Sequence, residues 1–369
     1  MPEVLFVAGE ASGDLHAAGV AEELKRLRPE LDMAGFGGPL MERAGVRLFD
    51  RYDTGVMGFI EVIRHIPRHW ELLHTIRDRL ATGNVKLLVV IDYPGFNMKA
   101  AAAASEAGVP VLYYVTPQVW AWGEGRLPTL ARIVTKAAVI LPFEENLLRG
   151  HGIDATFVGH PLLDRATNLP DRKQARADLG ISESAKVLAL FPGSRQQEID
   201  RLIDDFVATA QELNKLVPQL EVVVSVAPTI TLDPARCPFR LVHSASFTVL
   251  RAADAGLCKS GTTTLEAAIA DRPLVVAYRT SPISYFLARM MVKIPHIGLV
   301  NVVAGREVAR EFVQDDLVPS RVAAELVQLL DDSSPERKRV LDGIAEVRSK
   351  LGEPGAGHRV AAMARELVG

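Results

Sequence analysis

Four times in this chain a short, largely apolar run stops at a turn of small residues, and a helical pattern begins. The runs are Val4–Val7, Lys86–Ile91, Val187–Phe191 and Ala255–Cys258. The turns that follow contain GEASGD (residues 9–14), DYPGFN (92–97), PGSR (192–195) and KSGTTT (259–264). Runs without polar alternation suit strands covered on both faces, the condition of a parallel sheet. Further runs at Val111–Val115, Ala138–Leu141, Leu220–Val226, Leu241–His243 and Leu274–Tyr278 continue the pattern. Helical periodicity fills Leu15–Leu27, Met98–Ala107, Leu127–Lys136 and the chain from Val322 onward. The rhythm restarts after a polar stretch at 164–179, rich in Asp, Arg and Asn. A length of 369 residues suits two domains of about 150–200 residues each. The expected class is therefore α/β, with two doubly wound, Rossmann-like parallel sheets facing an interdomain cleft. Ligands in such sheets sit at the carboxyl ends of the strands.

The two turns in the second half suit a nucleotide diphosphate. In KSGTTTLEAA (259–268), Ser260, Gly261 and Thr262 fall at a helix start, where free amides and the helix dipole favour an anion. Glu266, a turn later, would repel a phosphate but matches the two hydroxyls of a ribose. Thr263 and Glu266 equally fit a capping box that needs no ligand, and both readings stand. In FPGSR (191–195), Arg195 sits near a helix start, where the dipole disfavours a cation unless an anion is bound. Glu198 could orient Arg195 or cap the helix.

In the first half, Asp92 ends a buried strand before a Pro-Gly turn, which suits either a general base or a turn cap. Glu10 and Ser12 could meet a polar substrate; Asp14 is read as serving the helix dipole. Trp120 and Trp122 in TPQVWAW (116–122) are read as core packing before sugar stacking. His65 and His69 stand four apart without a third metal ligand in view, and no metal site is expected. Neither GxxxxGK[ST], GxSxG nor HExxH occurs, against P-loop, α/β-hydrolase and zincin chemistry.

With 42 basic and 45 acidic residues, no nucleic-acid partner is expected. Two cysteines, Cys237 and Cys258, offer no disulfide framework and suit a reducing cytosol. The N-terminus lacks the features of a signal peptide, and no run is long enough to span a bilayer. Two segments have amphipathic character. Residues 59–80 carry apolar residues at 59, 63, 66, 70, 73 and 80 among four arginines, and residues 282–295 read PISYFLARMMVKIP. Each suits a lipid interface or an ordinary core-facing helix.

Taken together, GEASGD, VMGFIEV, IDYPGFN, TPQVWAW, LPFE, VGHP, FPGSRQQEI, KSGTTTLEAA and NVVAGRE resemble, in order, the blocks of the lipid-A-disaccharide synthase family, glycosyltransferases of GT-B architecture. The resemblance runs from about residue 4 to 316. It implies an inverting transfer from UDP-2,3-diacylglucosamine to 2,3-diacylglucosamine 1-phosphate, giving a β(1→6) disaccharide 1-phosphate and UDP. It implies Asp92 as the base. Arg195, Ser260, Gly261, Thr262, Glu266 and Asn301 become donor-site residues, and Glu10 and Ser12 an acceptor-side loop. No cofactor or metal is implied. The resemblance divides the chain into an acceptor-side domain over 1–165, a donor domain over 166–340 and C-terminal helices over 341–369 packing back on the first domain. It favours a membrane-contact segment near 56–80, a cytoplasmic enzyme held peripherally at inner-membrane lipids, and allows a homodimer. The alternatives are another GT-B enzyme using UDP-N-acetylglucosamine, either a 2-epimerase or a lipid-linked transferase, and a non-catalytic UDP-sugar-binding protein.

Overall fold

A computed structural model describes residues 2–52, 66–228, 230–291 and 294–369. The block VMGFIEV, with Met57, Phe59 and Ile60, lies outside the described residues, as do His65 and Lys293. The chain divides into two compact units, Met1–Asp164 with Gly352–Gly369, and Arg165–Leu351.

The first unit holds a seven-stranded sheet. Its strands are β1 (Glu3–Ala8), β2 (Asp32–Gly37), β3 (Arg47–Arg51), β4 (Val85–Ile91), β5 (Val111–Tyr114), β6 (Lys136–Val139) and β7 (Ala155–Phe157). All described pairings are parallel, in the order β3-β2-β1-β4-β5-β6-β7. Alternate side chains of each central strand feed opposite faces. Val4, Phe6 and Ala8, with Leu87, Val89 and Ile91, pack under helices Ala11–Leu27 and Ala356–Val368. Leu5 and Val7, with Leu88 and Val90, pack under helices Ile66–Ala81, Pro94–Glu106 and Leu127–Ile133. Both faces are thus covered, which is why β1 and β4 read as continuous apolar runs.

The second unit holds a six-stranded parallel sheet of β8 (Lys186–Phe191), β9 (Leu220–Val226), β10 (Arg240–His243), β11 (Ala255–Lys259), β12 (Leu274–Tyr278) and β13 (Glu311–Val313), ordered β10-β9-β8-β11-β12-β13. The expected pair of Rossmann-like parallel-sheet domains is what the chain forms. Helices Gln196–Leu216 and Pro319–Leu330 pack together, and helix Thr263–Ile269 packs on Ser246–Ala252 and Pro335–Lys350.

Three differences from the sequence reading have physical causes. Strand β2 (DMAGFG) was not expected, since two glycines interrupt its apolar run. A Cβ on Gly35 would strike the carbonyl oxygen of Phe6, so this strand is glycine-bearing to lie close to β1. The helix after β4 begins at Pro94 rather than Met98, since proline fits the first helical position. Helix Ile66–Ala81 buries Leu72, Leu73, Ile76 and Leu80 in the core and leaves Trp70 exposed. Over its described length the amphipathic segment is a core-facing helix.

The polar stretch at the start of the second unit hides a buried ion pair. Arg176, only 1 % exposed, donates to Asp254 Oδ2 at 3.0 Å and to the carbonyl of Ala252 at 3.0 Å. Asp254 also accepts from the Val187 amide at 2.8 Å and from Arg172 at 2.5 Å. One carboxylate thereby joins helix Arg172–Asp178 to the starts of β8 and β11. Removing one partner of such a pair strands the other in a low-dielectric interior, at a cost of about 3–5 kcal/mol. Asp254→Ala should lower unfolding stability in urea by that order; a loss below about 1 kcal/mol would show the pair to be dispensable.

Candidate active site

In both sheets the strand order reverses between two adjacent parallel strands: β1 and β4 in the first unit, β8 and β11 in the second. At such a point successive loops part toward opposite faces and leave a crevice at the carboxyl edge. Ala8 pairs with Ile91, and Phe191 with Cys258, so all four motif turns leave the sheets at these two points.

At the first edge, Asp92 and Tyr93 follow β4 with φ of 48° and 46°, consecutive left-handed residues that are not glycine. This conformation is strained and needs the surroundings to hold it. The Asp92 amide donates to the Tyr114 carbonyl at 3.0 Å. The Asp92 carbonyl accepts from Asn97 Nδ2 at 2.8 Å and from the Tyr113 hydroxyl at 2.9 Å. Asn97, fully buried, also donates to Ile91 O at 3.0 Å. The side chain of Asp92 is thus carried on a backbone fixed from three directions. Gly9 comes so close that a Cβ there would overlap the Tyr93 ring. The Tyr93 hydroxyl shares a 2.8 Å hydrogen bond with His69 Nε2, and the His69 ring stacks on Phe96 at 5.4 Å. His69 is therefore part of this aromatic packing. Burial, with the charge of Glu10, raises the Tyr93 pKa.

Ser12, exposed, donates to Glu10 Oε1 at 2.9 Å. Asp14 stands in the first turn of helix Ala11–Leu27, as expected of a residue that favours the helix dipole, and has a second role. Its buried carboxylate accepts from the amides of Gly38, Leu40 and Met41, each at 3.0 Å, and so caps helix Pro39–Arg43. Trp120 donates to Glu144 Oε1 at 2.9 Å and meets Phe143 edge-on at 5.3 Å, joining TPQVWAW to LPFE. Trp122 is 40 % exposed, with the Arg126 guanidinium 4.5 Å above its ring.

At the second edge, one residue dominates. Glu198 Oε2 accepts from the amides of Ser194 at 3.1 Å and Arg195 at 3.3 Å, while Oε1 accepts from Lys259 Nζ at 2.8 Å. It caps helix Gln196–Leu216 and ties the turn after β8 to the turn after β11. Burial alone would raise its pKa; Lys259, the Ser194 amide and Arg195 outweigh burial and hold it below the usual carboxylate range. Gly193 has φ 144°, and a Cβ there would lie 2.7 Å from Glu198 Cβ, so this closed turn admits only glycine. The Arg195 side chain is 56 % exposed and 3.7 Å from Glu198 Oε1. Glu198 thus binds Lys259 more closely than Arg195, a bridge that the spacing within either motif could not reveal.

In the turn after β11, Ser260 Oγ donates to Ile297 O at 2.6 Å, Gly261 has φ 154° and Thr262 is exposed. The helix starts at Thr263 itself and no side-chain cap forms at its N-terminus, so Thr263 and Glu266 do not form the capping box their spacing allowed. Glu266 is buried; Arg165 Nη1 lies 3.3 Å from its Oε1. Burial raises its pKa, against the opposing effects of Arg165 and Ser246. Asn301 is fully buried, and its amide is used internally on all sides. Nδ2 donates to Ala309 O at 2.7 Å and Glu311 Oε1 at 2.8 Å, while Oδ1 accepts from the amides of Val308 at 2.8 Å and Ala309 at 2.9 Å. Glu311 in turn accepts from the amides of Ile297 and Gly298. Among the described residues no group of three or more His, Cys, Asp or Glu is arranged to hold a metal ion.

A family model described as lipid-A-disaccharide synthetase matches residues 4–362. The chain is 43 % identical over 368 residues to the lipid-A-disaccharide synthase of Anaeromyxobacter dehalogenans (strain 2CP-1), covering 97 % of this chain and 96 % of the relative. It is 41 % identical over 376 residues to that of Myxococcus xanthus, covering 100 % and 98 %. Among solved structures, the calicheamicin glycosyltransferase superposes with a TM-score of 0.64 at 16 % identity, covering 100 % of this chain and 98 % of the other. The UDP-GlcNAc 2-epimerase from Neisseria meningitidis bound to UDP-GlcNAc superposes at 0.62 and 13 % identity, covering 99 % of each. These two likenesses concern the fold.

Glu144, at the start of helix Glu144–Arg149 in the first unit, gives the fold a pH signature. Burial raises its pKa from 4.5 to about 7, against the lowering by the Leu141 amide, Trp120 and the Ile140 amide. Between those values the unfolded chain has lost the proton that the folded chain keeps, so stability falls as pH rises from about 4.5 to 7 and is level above. Relative to Glu144→Gln, the wild type should lose about 3 kcal/mol across that window. Parallel stability profiles for the two proteins would contradict this environment for Glu144.

Proposed function

Since this chain belongs to the lipid-A-disaccharide synthase family and is a UDP-sugar-dependent hexosyltransferase, we propose that its switch-point loops divide the work of one inverting transfer. The reaction joins UDP-2,3-diacylglucosamine to 2,3-diacylglucosamine 1-phosphate. The acceptor 6-hydroxyl oxygen bonds to the anomeric carbon as the bond from that carbon to the diphosphate oxygen breaks. UDP leaves with the electron pair, and the hydroxyl proton passes to a base. An α-linked donor and a β(1→6) product require one displacement, through an oxocarbenium-like transition state.

We assign the base to Asp92. What supports this is its locked left-handed backbone at the carboxyl edge of β4, a strain that a mere turn cap would not require. Glu10 and Ser12, on the neighbouring turn, are assigned to the acceptor side. Arg195 is assigned to the diphosphate, since its guanidinium is half exposed and loosely held. Glu266 is assigned to the ribose hydroxyls; its failure to cap its own helix supports a ligand role. Gly261 and Thr262 form the approach to the nucleotide, and Ser260 holds that turn to Ile297. Asn301 is assigned a positioning role only, because its hydrogen-bonding capacity is spent on residues 308, 309 and 311.

Both substrates carry acyl chains, and no helix among the described residues is long and apolar enough to cross a membrane. We therefore place the enzyme peripherally at the cytoplasmic surface of the inner membrane, where such substrates are reached without spanning.

Asp92→Asn should lower turnover by about 10²–10⁴-fold while leaving the Kd for UDP within twofold; a parallel loss of UDP affinity would remove Asp92 from the role of base. Arg195→Ala should weaken UDP binding and slow transfer by about 10²-fold, whereas unchanged kinetics would exclude it from the site. Charge relief by Arg195 predicts that EDTA leaves the rate unchanged. Inhibition reversed by added magnesium would overturn that assignment.

A further inference from the structure

The three most exposed large apolar residues among those described belong to one helix, Pro282–Met291. Ile283 is 75 % exposed, Met290 72 % and Phe286 65 %. At 100° per residue they fall within an arc of about 60°, so they form one stripe rather than three scattered side chains. Single exposed apolar residues are ordinary; a stripe of the largest ones on one helix is not. Arg289 stands on its flank, near Tyr285. The helix is well founded. Ser281 caps it through the Ser284 amide at 3.1 Å, and Pro282 holds its first position.

Charge indicates what covers the stripe. None of the 45 acidic residues of the chain falls between Arg272 and Arg306, a stretch that carries four arginines, a lysine and a histidine. Arg279 is paired with Asp205 at 2.8 Å, but Arg289 has no acidic partner among the described residues. An apolar stripe within an acid-free, basic stretch matches a layer of hydrocarbon beneath anionic headgroups. The helix also follows β12, directly beside β11, whose carboxyl end carries the turn at 260–262. The stripe therefore leaves the same sheet edge as the turns assigned to the acylated donor.

We propose that helix Pro282–Met291 inserts Ile283, Phe286 and Met290 into an anionic lipid surface and anchors the second unit there. This rests on the peripheral membrane association proposed above, and it assigns the contact to this helix rather than to helix Ile66–Ala81, whose apolar face is spent on the core.

The test is flotation of the full-length protein with vesicles of phosphatidylglycerol and phosphatidylethanolamine, and with phosphatidylcholine alone. The wild type should bind the anionic vesicles. Ile283→Ser/Phe286→Ser/Met290→Ser should lose at least tenfold in partitioning, and Phe286→Ser alone a smaller part of it. Arg289→Gln should weaken binding to the anionic vesicles only. All should keep wild-type melting temperature and wild-type kcat/KM on short-chain, water-soluble substrate analogues. Wild-type partitioning by the folded triple variant would overturn the inference while leaving membrane association standing. No binding by the wild type would remove both. If the triple variant instead dissociates a wild-type dimer in sedimentation, with vesicle binding unchanged, the stripe belongs to a second copy and the proposal falls.

Discussion

In a doubly wound parallel sheet, the loops of two neighbouring strands must part where the strand order reverses. This protein meets that constraint twice, between β1 and β4 and between β8 and β11. The chemistry proposed for it is built on what fills those two partings. Each carries helix starts, with their unpaired amides, at the carboxyl edge of a rigid sheet. Each is closed by a buried or partly buried side chain: Asn97, whose Nδ2 donates to carbonyls beneath Asp92 in the first unit, and Glu198 between Ser194 and Lys259 in the second.

The two devices work differently. Asn97 bonds carbonyl groups and so fixes the strained backbone that carries Asp92. Glu198 bonds amides that an anion would otherwise attract, and holds a lysine with its second oxygen. The turn is thereby closed from within, which leaves the Arg195 guanidinium as its outward-facing cation. Local strain and local charge are balanced by residues that do not themselves need to touch a substrate.

Much of the architecture was legible because buried parallel strands leave a plain mark. β1, β4, β8, β9, β11 and β12 stand close to where continuous apolar runs placed them. β6 lies two residues earlier than its run suggested. β2 and β3 left no such mark, one because close packing demands glycine, the other because an edge strand with charged ends reads as a loop. The site was legible by motif and less so by role. Asp92 and Arg195 follow β4 and β8, and Glu266 lies within helix Thr263–Ile269. Asn301 was named by resemblance alone, and its hydrogen bonds turn inward. The Glu198–Lys259 bridge joins residues 61 positions apart, beyond the reach of local pattern. The amphipathic segments left two readings open for a similar reason: periodicity gives a helix an apolar face but not its neighbour. Helix Ile66–Ala81 turned that face to the core, and the shorter helix at Pro282–Met291 left its own uncovered.

The measurement that bears most directly on this account is the anomeric configuration of the product. Purified protein is supplied with both acylated substrates, and the product is followed by NMR and mass analysis alongside UDP release. The expected product is a β(1→6)-linked disaccharide 1-phosphate, with one UDP released for each linkage formed. An α-linked product, or epimerisation of UDP-N-acetylglucosamine with no disaccharide, would contradict it.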